Sequence, residues 1–181
     1  ALYGIQNDGD IYVWGNSVYL GDGNGASNYN YATLMVAPPS TPSYITGFFN
    51  DNDTKHGILA LGSDQRIYGV GHNTSQRIIN QSTVAVLNWE TIKDSSGNPI
   101  EKVLMISSNQ SSEQWSSAAA ITEGATTASK TILLTWGSNN SGAIGQGPTD
   151  YIEYPTVPSG YTVGTDDAAF VSTGGHATTY Y

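Results

Sequence analysis

The sequence predicts an all-β chain made of about three repeated strand-turn units, and three observations carry the prediction. First, residues 136–147 read W-G-S-N-N-S-G-A-I-G-Q-G, a pattern of the form W-G-x-N-x-x-G-x-[aliphatic]-G-x-G. It recurs in shortened form at Trp14, Gly15, Leu20, Gly21 and Gly23, with a third trace at Tyr68, Val70, Gly71 and Asn73. Second, Gly (21), Ser, Thr, Asn and Tyr (12) are abundant while charged residues make up only 12%, as suits a chain of many turns with an uncharged polar surface. Third, no stretch of ordinary helix length shows a 3.6-residue apolar period. Modules that return at long intervals mark stacked arrays or propellers, so the repeat governs the reading of every residue.

The first unit opens with a strand at 2–6, turns at Asn7-Asp8-Gly9 and returns through 10–14. Asp-Gly between two β-prone runs is a strong hairpin signal, because Gly accepts the positive φ that such turns require. A shift of 56 residues brings the shape back. Residues 58–61 lead to Ser63-Asp64-Gln65 and then to 66–71, so that Asp8 falls on Asp64, Tyr12 on Tyr68 and Gly15 on Gly71. A shift of 122 places Trp14 on Trp136 and Gly15 on Gly137. The third unit's strands are expected at 117–122 and 131–136. A helix over 112–122 competes there because Ala118–Ala120 are good helix formers, but register with the other units favours strand.

Short apolar runs at 44–45, 103–106 and 168–171 are expected to be inner strands preceding each hairpin. The links between hairpins include the Gly/Asn-rich stretch 24–30, the breakers Pro38, Pro39 and Pro42, and the turn cluster 95–99. One domain is the default for 181 residues, with units at about 1–43, 44–102 and 103–170 and the start of a further unit at 171–181.

Composition excludes several function classes. The formal net charge is −9 with only six basic residues, and no Lys/Arg cluster exists, so the electrostatic drive for nucleic-acid binding is missing. An anionic membrane surface would repel the chain, and no apolar run reaches the roughly 18 residues that span a bilayer. Cysteine is absent, which removes disulfide, zinc-thiolate and Cys-nucleophile chemistry. No signal peptide opens the sequence. Low Lys with high Ser, Thr and Asn points to an extracellular, cell-surface or virion setting.

No nucleophile elbow, P-loop, zincin or dinucleotide motif is present. No catalytic, cofactor-binding or metal-binding residue is therefore assigned, no cofactor is expected, and the chain is read as a non-enzyme. Asp22-Gly-Asn24-Gly and Asp51-Asn-Asp53 resemble calcium loops only superficially, and turn chemistry accounts for them. His56 and His176 stand at roughly equivalent places of the repeat, 120 residues apart, which favours a repeated structural role over catalysis, and His72 is expected in a loop. Five N-x-[S/T] sequons occur, at Asn52, Asn73, Asn80, Asn109 and Asn139. Tyr29 and Tyr31 in the first polar link are the candidate partner-binding aromatics, with packing against the unit as their other reading. Tyr180-Tyr181 reads as strand.

The repeat resembles that of the regulator-of-chromosome-condensation (RCC1-like) family over nearly the whole chain, as three imperfect units. The family pattern is roughly G-x-x-H, a strand, D-G, a strand ending W-G, then x-N-x-x-G-Q-L-G-x-G and a Pro. Gly174, Gly175 and His176 resemble its opening. Asp8, Gly9, Trp14 and Gly15 resemble its middle, and Trp136, Gly137, Asn139, Gly142, Ile144, Gly145 and Gly147 resemble its close, with Pro155 following. Ala143 and Ile144 stand where the family has Gln and Leu. The first unit is shortened after Trp14-Gly15, and the second has lost its Trp and most of its glycines.

The resemblance implies a β-propeller of four-stranded blades in which large aromatics fill the space between neighbours. It does not imply the founding member's nucleotide exchange or chromatin binding. Family rings close with about seven units, and a stack of blades buries its faces only on its neighbours. The chain is therefore expected to be part of a longer protein, to associate with copies of itself or other subunits, or to be an arc capped by a partner. Function is expected to be structural or binding, through protein contacts or glycans, with a carbohydrate-active protein, a lectin and a secreted protein inhibitor as alternatives.

Overall fold

In the computed structural model, residues 1–50, 55–73, 77–109, 116–124, 130–174 and 177–180 are described. They form thirteen strands, no α-helix and one 3-10 turn at Asn140–Gly142. Every strand pairs antiparallel with its sequence neighbour, giving four consecutive sheets. The first contains β1 (Leu2–Ile5), β2 (Ile11–Val18) and β3 (Ser27–Leu34). The second contains β4 (Pro42–Asn50), β5 (Lys55–Gly62), β6 (Ile67–Gly71) and β7 (Val86–Thr91). The third contains β8 (Val103–Ser108), β9 (Ser117–Thr122), β10 (Ile132–Ser138) and β11 (Tyr151–Thr156). The fourth pairs β12 (Val171–Gly174) with β13 (Ala177–Tyr180).

The expected strands are present except at 168–171, where the strand begins only at Val171 and Ala168 instead packs into a core from outside it, and 117–122 is strand rather than helix. Three strands were not anticipated: β3, β7 and β11. Each is the last strand of its sheet, with much of its surface exposed, and β7 is met on its outer side only by a bridge from Asp22 to Asn88. Polar outer strands lack the apolar run or clean alternation by which a strand is recognised. In consequence residues 27–34, expected to lie in a link, form β3, because the Asn- and Tyr-containing run pairs with β2 through an irregular register. Pro42 opens β4 instead of breaking it, a position where its missing N–H is tolerated.

Three cores lie between successive sheets. Ile11, Val13, Val18 and Met35 of the first unit pack with Ile58 and Val70 of the second. Leu59, Leu61, Ile67, Ile78 and Ile79 of the second pack with Val103, Ile106, Ala118, Ala120 and Trp136 of the third. Ala119, Ile121 and Leu133 of the third pack with Tyr161, Ala168 and Val171. Neighbouring residues of one strand thus serve different cores: Ile58 faces back and Leu59 forward, and Ala118 faces back and Ala119 forward. This explains why β9 runs apolar from Ala118 through Ile121, without alternation, and has every residue buried. Both of its faces are covered, and small side chains let the sheets approach.

Polar contacts reinforce the packing. The Trp136 indole N–H donates to Ile78 O (2.8 Å) and Trp89 Nε1–H donates to Val36 O (2.7 Å), each reaching into the unit before. Successive inner strands share a recurring hydroxyl staple. Thr46 Oγ1 and Ser108 Oγ lie 2.9 Å apart, and Ser108 N–H donates to Thr46 Oγ1. One step on, Ser107 Oγ and Thr173 Oγ1 lie 3.0 Å apart, and Thr173 N–H donates to Ser107 Oγ.

The hairpin turns are held by carboxylates. Asp8 Oδ1 accepts Asp10 N–H, and Asp64 Oδ1 accepts Arg66 N–H. Where the first unit has Gly9 (φ 93°), the second has Gln65 at φ 60°, a left-handed conformation that costs a non-glycine residue about 1 kcal/mol. Tyr68 Oη donates to Asp64 Oδ2 at 2.6 Å. Burial and this bond push the Tyr68 phenol up to about 12. Partial burial of Asp64 opposes its ionisation, but the bonds from Tyr68, Arg66 N–H and Ser40 outweigh it and hold the carboxyl below the usual range.

Gly71 and Gly137 close the middle strands, at φ 111° and 98°. A Cβ on Gly71 would stand 2.6 Å from His56 O, and one on Gly137 would stand 2.9 Å from Ser116 O. Gly142, at φ 72°, faces open space. Gly142→Ala is expected to cost about 1 kcal/mol from backbone strain alone. Gly137→Ala should cost at least twice as much, because strand β9 must also move. Urea midpoints of the two variants measure the difference, and equal losses would contradict the close approach of β9 and β10.

Candidate functional site

The repeat residues fall into two groups, those that set the sheets against one another and those that tie a loop. Trp14 and Trp136 occupy matching positions on β2 and β10. Trp136 is fully buried and Trp14 is half-buried. Gly15 (φ 114°) lies over Ala1, as Gly71 lies over His56-Gly57 and Gly137 over Ser116-Ser117. These close approaches set the register of the units. Ser116 therefore stands in the third where His56 stands in the second, 60 residues earlier. His56 is buried at the start of its strand, and its carbonyl accepts His72 N–H at 2.9 Å. His72 follows β6 outside any strand, as expected, and is buried as well. Gly175, His176 and Tyr181 lie outside the described residues, as do 51–54 with their acidic cluster. Tyr180 is in β13.

Asn139 ties the loop after β10. Its Nδ2 donates to Gly147 O (2.7 Å) and Thr149 O (2.8 Å), and its Oδ1 accepts Ile144 N–H (3.2 Å). The loop glycines Gly142, Gly145 and Gly147 all take positive φ within this tie. Asn73 does the same in the second unit. Its Nδ2 donates to Asn80 O and Ser82 O, and its Oδ1 accepts Ile79 N–H. Only the trace at Tyr68–Asn73 hinted at this, because the glycines that would have marked the loop are gone. The first unit has Ser17 at the same offset from its glycine, at φ 54°, and the tie is made from across the ladder by Asn28 Oδ1, which accepts Ser17 N–H.

This bonding bears on the sequons. Asn73, Asn109 and Asn139 are 1%, 3% and 2% exposed. Asn109 likewise uses both amide atoms, accepting Ser117 N–H and donating to Gly174 O. A glycan on any of the three would require these bonds to break. Asn80 is partly exposed, with its Nδ2 donating to Glu90 at the surface. Asn52 lies outside the described residues.

The carboxylates act as turn acceptors. The Asn24 side chain and backbone N–H hold Asp22 low, the Asn98 N–H holds Asp94 low, and the Thr131 N–H and hydroxyl hold Asp167 low. Among the described residues no three His, Asp or Glu side chains gather where they could hold a metal ion. No helix among them is long and apolar enough to cross a membrane, which says nothing of a β-barrel. A shallow surface depression of about 360 Å³ is lined by Ile79, Asn80, Gln81, Glu90, Thr91 and Lys93.

The candidate partner-binding tyrosines separate. Both are on β3, and Tyr29 packs on the first core while Tyr31 is 84% exposed. Leu2 and Leu34 of the same sheet are also exposed.

Asn139→Ala removes three hydrogen bonds and leaves the buried Ile144 amide and the carbonyls of Gly147 and Thr149 to find new partners. The expected loss is about 2–4 kcal/mol of stability, against under about 0.5 kcal/mol for Asn24→Ala on the exposed first link. Chemical denaturation checks this, and equal small losses would show that the loop tie is dispensable.

No family model matches the sequence, and no curated protein matches it. Solved structures do. Human WBSCR16 superposes with a TM-score of 0.64 at 14% identity, over 94% of this chain and 40% of that one. Yeast RCC1 (Prp20), solved bound to Kap60, gives 0.69 at 16% identity, over 97% of this chain and 38% of that one. Prp20p of Saccharomyces cerevisiae, described with its binding properties to Gsp1p and histones, gives 0.69 at 16% identity, over 98% and 40%. The chain spans about 40% of the length of these proteins. With its antiparallel sheets of three and four strands stacked face to face, the chain has an RCC1-like β-propeller fold.

Proposed function

We propose that the chain is a non-enzymatic protein-interaction module that works within an extracellular, cell-surface, filament or virion assembly. The observation that carries this reading is Tyr31, a large aromatic 84% exposed on an outer strand that the fold does not need for packing. Exposed aromatics on a rigid scaffold suit partner anchoring. Solved proteins of this fold engage protein partners: yeast RCC1 was solved bound to Kap60, and Prp20p was described with its binding to Gsp1p and histones. The partners here are other subunits or copies of the chain.

Nucleic acid is a poor candidate. Of the six basic residues, Arg66 and Arg77 are paired with Glu101 and Glu153. The outside setting is supported by a Lys-poor, Ser/Thr-rich composition. The surface tyrosine could equally stack on a sugar ring, so a glycan partner is the competing outcome of the test.

The test is capture of binding proteins from the native source on wild type and on Tyr31→Ser, beside a glycan array. A protein retained by wild type and bound at least tenfold more weakly by Tyr31→Ser supports the reading. Array binding lost in Tyr31→Ser, or hydrolytic activity lost on removal of one Asp, would replace it with the carbohydrate reading.

A further inference from the structure

We propose that Asn24 is a self-modifying site, where the Gly25 main-chain nitrogen converts the Asn24 side-chain amide to a carboxylate, and that the product loosens the first link from strand β7. Asn-Gly occurs once in the sequence. Both residues are exposed and lie outside any strand. The reaction needs a side-chain carbonyl carbon just before the nucleophile, a main-chain N–H free to lose its proton, and a chain able to fold back on itself. Glycine supplies the last, having no side chain to restrict φ and ψ.

The N–H requirement singles out Gly25. The same ring closure is open to the side-chain carboxyls of Asp8-Gly9 and Asp22-Gly23, but there the glycine N–H is engaged. Gly9 N–H donates to Gln6 O (3.0 Å) and Gly23 N–H to Leu87 O (3.1 Å). At Asn16-Ser17 the Ser17 N–H donates to Asn28 Oδ1 (3.0 Å). Asn98 precedes Pro99, which has no N–H. Gly25 N–H donates to no group among the described residues, and a Cβ on Gly25 would meet nothing within 4 Å.

The bond changes balance with water as the co-reactant. Gly25 N gives up its proton and bonds to Asn24 Cγ. The Cγ–Nδ2 bond breaks, and Nδ2 leaves as ammonia with that proton. Water then opens the five-membered imide at either carbonyl, leaving an aspartyl or an isoaspartyl residue. Asp22 restrains the first step. Its Oδ2 accepts Asn24 Nδ2–H at 2.8 Å and its Oδ1 accepts Asn24 N–H at 3.0 Å. The leaving nitrogen must part from a carboxylate that has no proton to give it.

Once the amide is gone, the same pair works against the link. A carboxylate replaces the donor that faced Asp22 Oδ2, so two anionic groups meet where a hydrogen bond was. Asp22 bridges to Asn88 on the outer side of β7, next to the bond from Gly23 N–H to Leu87 O. Gly21 lies on the Trp89 indole, where a Cβ would stand 3.0 Å from Nε1. The modification therefore acts on the contact by which the first unit covers the edge of the second sheet.

Peptide mass mapping of the 181-residue chain after long incubation in mildly alkaline buffer tests this. Acid should accumulate at residue 24 faster than at any other described asparagine. Gly25→Ala, which disturbs no packing, should slow it at least about tenfold. Asp22→Ala should speed it at least about twofold by releasing the leaving nitrogen. In the modified wild-type chain the Gly23 amide should exchange with solvent at least about threefold faster than before. No acid at residue 24, acid formed as fast in Gly25→Ala, or a rate in Asp22→Ala no higher than in wild type would overturn the site. A Gly23 amide as protected after modification as before would overturn its effect on the link.

Discussion

Burial of one sheet's face on the next is the constraint on which the rest of this structure depends. No sheet here has a core of its own. Ile58 and Leu59, adjacent in β5, belong to two different cores, and Ala118 and Ala119 in β9 do the same. A strand used this way cannot alternate apolar with polar residues. Its ladder must also be completed on both sides, as β5 and β6 complete each other between β4 and β7. Stability in such a stack is the sum of small sheets and the contacts between them, so the contacts decide whether any sheet persists.

The residues that looked like a signature are the ones that make this burial possible. Trp136 fills the junction and donates its N–H to a carbonyl of the preceding unit. Gly71 and Gly137 allow main chain to cross main chain where a methyl group would collide with a carbonyl oxygen. Asn73 and Asn139 each satisfy a buried amide and two carbonyls of the loop that follows their strand. Thr46 with Ser108, and Ser107 with Thr173, stitch successive inner strands in the same geometry. Each device supplies partners for polar groups that burial would otherwise strand.

The legible part of the fold followed from this logic. Hairpins with apolar strands around an Asp turn are visible in a sequence, and so is a Trp-Gly step that returns at matching offsets. The outer strands β3, β7 and β11 were not legible, because they end their sheets and carry exposed polar residues that interrupt the apolar run by which a strand is recognised. The loop tie of Asn73 was hidden because its neighbours are not glycines. Three sequons proved to be structural asparagines, which a three-residue pattern cannot reveal. Tyr31 could be singled out as an aromatic in a polar stretch, but only the structure separates it, 84% exposed, from Tyr29, which packs on the first core from the same strand.

Native-state hydrogen exchange on wild type and Trp136→Ala tests mutual dependence of the sheets most directly. The indole belongs to β10 but closes the junction with the second sheet. Amides of β5 and β6 should therefore lose protection together with those of β9 and β10, by similar factors. Loss confined to β9 and β10, with β5 and β6 as protected as in wild type, would show that each sheet stands on its own and would contradict the account.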